Sequence, residues 1–289
     1  MLFRSGLREQ GLAPSSVAVA MSVIRDLLVD AAAEGLISTA PTARIRQRRA
    51  GQGRPVRVGV AVDLRTVLTV GERLPAQEAL MVIVAAFTGM RWGEVCAMRT
   101  GALRLQPAGL GVGGGVYEVD AQFGAVHEDV HARRFFGPPK DGRGRVIDLP
   151  VFLADLLAGR IEALSGRALL FANRTGEPIR HTDFLRLWRR ACDGRPARYA
   201  RDGSERDPAT APVHRGLRFH DLRHTHKTML TELGVPEVLQ DERLGHHPPG
   251  MRGVYAHTTA AMREAMVDGL QRRWEHEQSP HHTPDTLRS

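Results

Sequence analysis

The chain has 289 residues, 42% hydrophobic and 25% charged, which supplies a packed core and excludes a globally disordered polypeptide. Its 40 basic and 32 acidic side chains leave a formal charge of +8, carried almost wholly by arginine because Lys140 and Lys227 are the only lysines. A polyanionic partner fits that balance, although arginine richness also accompanies the Ala- and Gly-rich composition. The longest apolar run, Ala79–Phe87, is far short of the roughly 18 residues that cross a bilayer, and the first residues lack a secretory apolar core. A cytoplasmic protein with no membrane partner is therefore expected. Cys96 and Cys192 form neither a disulfide framework nor a metal-ligand pair.

Residues 14–34 predict a helix. Pro14, Ser15 and Ser16 supply its start; Val17, Met21, Ile24, Leu28 and Ala31 recur at helical spacing, and Gly35 offers the stop. One helix cannot bury its apolar face alone, and the 13 residues before it are too few to cover it. Residues 42–58 are crowded with arginines, with glycine, proline and no acid, which marks a linker. A solvated loop and a strap lying along phosphates would both use this composition, the strap through Arg44, Arg46, Arg48 and Arg49.

From Val62 to Arg99 the pattern is helical, with the buried-looking run 79–87 broken at Thr88-Gly89. Residues 103–149 change character: Val116, Glu118 and Asp120 lie among glycines, and Arg145-Val-Ile-Asp-Leu149 ends at Pro150, predicting short strands or hairpins. Helical spacing returns with Leu153, Leu156, Leu157 and Ile161. Residues 193–216 are polar and rich in Gly, Pro and Arg, so a mobile loop is expected. Helices are predicted over 220–233 and 236–243, followed by an amphipathic one carrying Met262, Met266 and Leu270. The tail from Gln278 reads as disordered.

Five segments place phosphate-competent side chains beside tight turns or helix ends. They are Thr88-Gly-Met-Arg-Trp-Gly-Glu94, Pro138-Pro-Lys140, His220-Asp-Leu-Arg-His224, Leu244-Gly-His246 and Tyr255-Ala-His257. Taken singly each has a bland explanation: Arg91 as an ion-pair partner of Glu94, Lys140 as a solvated turn residue, His220 as a cap, Tyr255 as a packing residue. The histidines at 220, 224, 226, 246 and 247 lack a carboxylate or cysteine at a known ligand spacing, so no metal is expected.

Taken together, the segments resemble the catalytic boxes of the tyrosine recombinase (phage integrase) family. Arg91 and Glu94 match its TGxRxxE box, Lys140 its hairpin lysine, His220 and Arg223 its HxxR box, and Gly245-His246 its LGH box. Tyr255 follows His246 by nine residues, the family's usual spacing for its nucleophile. Leu170-Leu-Phe-Ala-Asn173 and Gly176-Glu-Pro178 also resemble segments between these boxes. The sequence departs from the pattern in two places: Asp141, rather than Thr or Ser, follows Lys140, and the stretch before Tyr255 reads HPPGMRGV, too rich in Pro and Gly for a stable helix.

The resemblance implies a mainly α (α+β) fold: a helical catalytic domain of the DNA breaking-rejoining type with a small antiparallel β-sheet. It implies a division into a remnant of an all-α, SAM-like core-binding domain (1–45), a basic linker (46–58), a catalytic domain (59–277) and a tail (278–289). It also implies site-specific recombination of double-stranded DNA through a 3′-phosphotyrosyl link, in a tetramer on DNA, with possible accessory DNA-bending or directionality factors and no cofactor. Arg91 and Arg223 would clamp the phosphate, His220 accept a proton, His246 donate a hydrogen bond, and Lys140 protonate the leaving 5′-oxygen. Glu94 would support Arg91. Two other readings remain open at this point: an inactive remnant that only binds DNA or partner subunits, and a relaxing topoisomerase of the type IB class. The 259–275 helix could dock on a neighbouring subunit or pack on its own domain.

Overall fold

A computed structural model describes residues 2–39, 59–106, 113–129, 131–164, 166–202, 204–246 and 258–279. The chain divides into two compact units, Met1–Val58 and Gly59–Ser289. Residues 40–58, with Arg44, Arg46, Arg48, Arg49 and the expected linker, lie outside the described residues.

The first unit is a helix pair, α1 (Leu2–Glu9) and α2 (Pro14–Ala33). Proline opens α2 at the position where its missing N–H is not needed. Sequence periodicity predicted α2 alone; the short α1 packs against it but leaves Val19, Val23 and Leu27, spaced by four, exposed along one face.

The second unit begins with three helices: the break expected at Thr88-Gly89 is present, and a second one, at Pro75, divides the region further. The three are α3 (Leu64–Glu72), α4 (Ala76–Thr88) and α5 (Trp92–Cys96). Asp63 caps α3 by accepting the Thr66 N–H at 2.6 Å, and Pro75 at the N-cap separates α3 from α4. Met81, Val82, Val84, Ala85, Ala86 and Phe87 of α4 are all buried. That makes α4 the central helix, with each fully buried large side chain contributing about 1.5–3 kcal/mol.

Strands follow, as predicted for 103–149. β1 (Leu103–Leu105), β2 (Gly115–Val119) and β5 (Arg145–Leu149) form an antiparallel sheet in the order β1-β2-β5. Tyr117 faces Leu103 on one side and Ile147 on the other, and Tyr117, Val119, Ile147 and Leu149 are buried against the helices. Between β2 and β5 lies a separate hairpin, β3 (Ala125–Glu128) and β4 (Arg134–Gly137). Asp129 shapes its turn by accepting the backbone N–H groups of His131 and Arg133 at 2.9 Å.

The helices α6 (Val151–Glu162) and α7 (His181–Asp193) come next. Residues 193–216, expected as a mobile loop, contain the short pair β6 (Arg198–Tyr199) and β7 (Glu205–Asp207). Long-range pairing stabilises them: Arg195 and Thr210 exchange backbone hydrogen bonds, and Asp193 accepts the Gly216 N–H at 2.6 Å. Then come α8 (Asp221–Glu232), α9 (Glu237–Leu244) and α10 (Ala260–Gln278). Helix α8 packs on α4.

Helix α10 packs on its own chain. Met266, Val267 and Leu270 are buried, and Trp274 stacks on Phe152 at 4.3 Å between centroids, 6° from parallel. Gln271 accepts the Phe152 N–H at 3.0 Å. The architecture is mainly helical with small antiparallel sheets. Among the described residues, no helix is long and apolar enough to cross a membrane.

Candidate active site

The site forms where the ends of α4 and α9 meet the first turn of α8. Thr88 closes α4 by donating to the Val84 carbonyl at 2.6 Å, and Gly89 then turns the chain with φ +67°. A Cβ at Gly89 would lie 2.5 Å from the Leu244 side chain and 2.8 Å from the His226 ring. Conformation and space both demand glycine there.

The chain emerges at Arg91, the N-cap of α5, and Glu94 reaches back to accept the Arg91 backbone N–H at 2.9 Å. The Arg-to-Glu spacing of three is thus a helix-start geometry, in which the third helical residue closes on the cap. Trp92 anchors this turn against Phe184 and Phe219, with centroids 4.6 and 5.3 Å away. Glu94 is 1% exposed and grips Arg145 with both oxygens, at 3.2 and 2.7 Å, while holding Arg91 Nη1 at 3.1 Å. Burial pushes its carboxyl up, but Arg145, with smaller help from Arg91, more than offsets this and holds it below the usual range. The other end of the Arg91 guanidinium meets Asp141, with Nη2 and Oδ2 2.9 Å apart.

Arg223 lies in the first turn of α8, 5% exposed. It donates to the Gly89 carbonyl at 2.6 Å, to the Leu244 carbonyl, and to His246 Nε2 at 2.9 Å. Among the described residues none of these partners is a carboxylate. Burial, and then repulsion from Arg91, lowers Arg223 to about 10, so it stays charged at neutral pH. Because a guanidinium only donates, His246 Nε2 is the acceptor and its ring proton sits on Nδ1, 3.6 Å from Asp241. Burial and Arg223 hold the His246 imidazole below the ordinary histidine value. The Leu-Gly-His segment is itself a helix ending: Gly245 adopts φ +66° and the His246 N–H returns to the Asp241 carbonyl at 2.8 Å.

His220 and Lys140 stand at the margin. His220 immediately precedes α8 and is exposed, with its ring centroid 5.4 Å from that of His224. Burial of part of the ring, and then the charges of His224, Arg223 and Arg218, keep it below its ordinary value. Asp221 beside it is buried and accepts from Arg218 through backbone and guanidinium, which fixes the start of α8. Lys140 is exposed in a turn closed by the Gly142 N–H on the Pro139 carbonyl at 2.8 Å. That turn is joined to the site through Asp141. The other lysine, Lys227, lies one helical turn beyond Arg223, and its charge also reaches His246.

The structure thus brings Arg91, Glu94, Arg223 and His246 into one network, with His220 and Lys140 beside it. Tyr255, and the Pro248–Gly253 stretch expected to be poorly helical, lie outside the described residues. The sequence reading missed several members. Arg145 ties Glu94 to α9 by donating to the Arg243 carbonyl at 2.9 Å. Arg243, 2% exposed, donates to His226 Nε2 at 2.9 Å and to the carbonyls of Asp148 and Phe87 at 2.9 and 2.8 Å. His226, fully buried, donates from Nδ1 to the Ala86 carbonyl at 2.9 Å. Arg263 joins Asp148 to Glu242 at the start of α10. Helical phase could have revealed Arg243, which falls on the same face as the buried Leu239 and Gln240; Asp141 stood out only as a departure after Lys140, and no local signal marked Arg145.

A helix-rich architecture with small antiparallel sheets thus frames a converged Arg–Arg–His cluster. A phage integrase family profile matches residues 63–262, and the chain belongs to that family. It is 24% identical over 246 residues to a prophage phiRv2 integrase from two strains of Mycobacterium tuberculosis, an alignment covering 84% of this chain. The chain spans 58% of the length of those relatives. Its fold resembles that of the Tn1549 transposon integrase in complex with transposon right-end DNA. That likeness has TM-score 0.60 at 15% identity, over 92% of this chain and 82% of that one. The same integrase in complex with a circular-intermediate DNA gives TM-score 0.62 at 16% identity, over 92% and 82% of the two chains.

Proposed function

We propose that this chain is the catalytic part of a site-specific DNA recombinase of a phage or integrative mobile element. It cleaves and rejoins double-stranded DNA through a 3′-phosphotyrosyl intermediate. In this reading residues 59–277 are the catalytic domain, residues 1–45 the end of a core-binding domain, and residues 46–58 a basic connection. The observation that supports it best is the convergence of Arg91, Arg223 and His246, with the two cations close enough to repel. A buried guanidinium held by carbonyls and an imidazole, beside a second guanidinium, is a site built for an oxyanion.

The chemistry follows from those side chains. Arg91 and Arg223 fork onto the non-bridging oxygens and offset the charge gained in the pentacoordinate transition state. The Tyr255 hydroxyl, with an ordinary pKa of about 10, attacks phosphorus as its proton passes to His220, whose lowered basicity keeps it neutral and able to accept. The bond to the 5′-oxygen breaks, and Lys140 supplies the proton that oxygen takes up. His246 must carry a proton on Nε2 to donate to the phosphate, so arrival of the anion exchanges its present role as acceptor from Arg223. A 5′-hydroxyl later attacks the phosphotyrosine and restores the tyrosine; the bond energy is conserved, so no nucleotide is consumed.

The test uses a nicked suicide duplex carrying a sequence that the protein itself enriches from a random-sequence pool. A protein–DNA adduct resisting denaturation is expected from the wild type and none from Tyr255→Phe. An adduct surviving that substitution removes Tyr255 as nucleophile. Tight binding with no adduct from the wild type leaves a DNA-binding remnant, and relaxation of supercoils without a specific site indicates a topoisomerase.

A further inference from the structure

The two carboxylates that hold Arg91 are not alike. Glu94 is 1% exposed, fixed by Arg145 and by the backbone of Arg91. Asp141 keeps 30% of its side chain exposed and reaches the site from the turn after β4, joined to the cluster by its ion pair with Arg91. It takes the Nη2 end of the guanidinium, the end that Glu94 leaves free. Its charge also reaches Arg223, where it opposes the lowering that burial and Arg91 impose. One exchangeable carboxylate therefore sits against the phosphate-facing edge of one arginine and within electrostatic reach of the other. It is adjacent in sequence to Lys140.

We propose that Asp141 is a self-supplied anion at the phosphate position. It neutralises the Arg91–Arg223 pair while DNA is absent, is displaced by the scissile phosphate, and on leaving releases the turn that carries Lys140. The inference rests on the reading of Arg91 as a phosphate ligand. Electrostatics support an exchange: the pair is only partly buried, with Arg91 and Asp141 side chains 18% and 30% exposed, so water weakens it and a phosphate with two charge-assisted bonds can replace it. The buried Glu94 cannot leave in this way, since removing it strands Arg145.

The experiment measures DNA affinity by fluorescence anisotropy with the enriched duplex, in the Tyr255→Phe background so that no cleavage intervenes. Asp141→Asn and Asp141→Ser should each bind about three- to five-fold tighter, the fold-change equivalent to the worth of a partly exposed ion pair. In an Arg91→Ala background the same substitutions should give no gain. Equal affinity of Asp141→Asn and its parent overturns the proposal. So does an equal gain with and without Arg91, which would reduce Asp141 to a general negative charge near DNA. The adduct assay separates this from the functional reading. Adducts from the wild type with no gain from Asp141→Asn sink the competition alone; the Arg91-dependent gain without adducts sinks strand cleavage alone.

Discussion

Replacing Glu94 by Gln tests the electrostatic frame on which the site rests. The carboxylate receives two N–H groups from Arg145, at 3.2 and 2.7 Å, one from the Arg91 guanidinium at 3.1 Å, and the Arg91 backbone N–H at 2.9 Å. An amide of the same shape offers one acceptor oxygen and turns its NH2 toward a guanidinium, donor against donor. Arg145, whose side chain is 6% exposed, would then be a buried charge without a counter-ion among the described residues, facing at best one amide oxygen and the Arg243 carbonyl. Stranding one member of a buried pair costs about 3–5 kcal/mol. That is a large share of a typical stability of about 5–15 kcal/mol. Urea unfolding followed by tryptophan fluorescence reports it directly, because Trp92, Trp188 and Trp274 all lie in the second unit. With a slope of about 2–3 kcal/mol/M, the midpoint should fall by about 1–2 M. Arg145→Met should lose a similar amount, and the double variant distinctly less than the sum, since no orphan charge remains. Because the folded Glu94 carboxyl is held low, its contribution is complete above the ordinary glutamate value and is lost as pH falls through the lower folded value. The wild-type advantage over Glu94→Gln should therefore shrink across that acidic window. A loss under about 1 kcal/mol, or strict additivity of the two substitutions, would refute the reasoning.

Three further outcomes are expected. Gly89→Ala should cost about 2–4 kcal/mol, combining a left-handed backbone with overpacking against Leu244 and His226, and urea unfolding showing under 1 kcal/mol would contradict both causes. His226 is buried neutral with its value held far below the ordinary one, so the unfolded chain takes up the proton that the folded chain refuses. Its contribution is intact above about pH 6.5 and falls by about 1.4 kcal/mol per pH unit below it, a slope that His226→Gln should lack; equal slopes in the two proteins would count against this. Trp274→Ala should cost about 2–3 kcal/mol and strip hydrogen-exchange protection from 260–278, because the stack on Phe152 holds α10; unchanged protection would show that the helix is held elsewhere.

Much of this protein was readable from local sequence. Helix α2 begins at Pro14 and α9 follows Pro236, α4 stops at Gly89 and α9 at Gly245, because proline and glycine act through the backbone of their own turn. The same locality explains two of the motifs: the Arg91–Glu94 spacing is a helix start, and Leu244-Gly-His246 is a helix end. The split of the 62–99 region was harder, since α3 and α4 share one apolar rhythm and only Pro75 divides them. Residues 193–216 looked structureless because β6 and β7 owe their order to Arg195–Thr210 pairing and the Asp193 contact with Gly216 rather than to strand-forming composition. Tyr255, whose assignment rests on its spacing from His246, lies outside the described residues. What tertiary structure alone decided is which charges meet. Arg145 lies 51 residues from Glu94, and Arg243 lies 95 from the Asp148 carbonyl and 156 from that of Phe87. Asp141 finds Arg91 from another strand connection. Helical period, capping and turn chemistry are written within a few residues of where they act. The partner of a buried charge is set by the path of the whole chain.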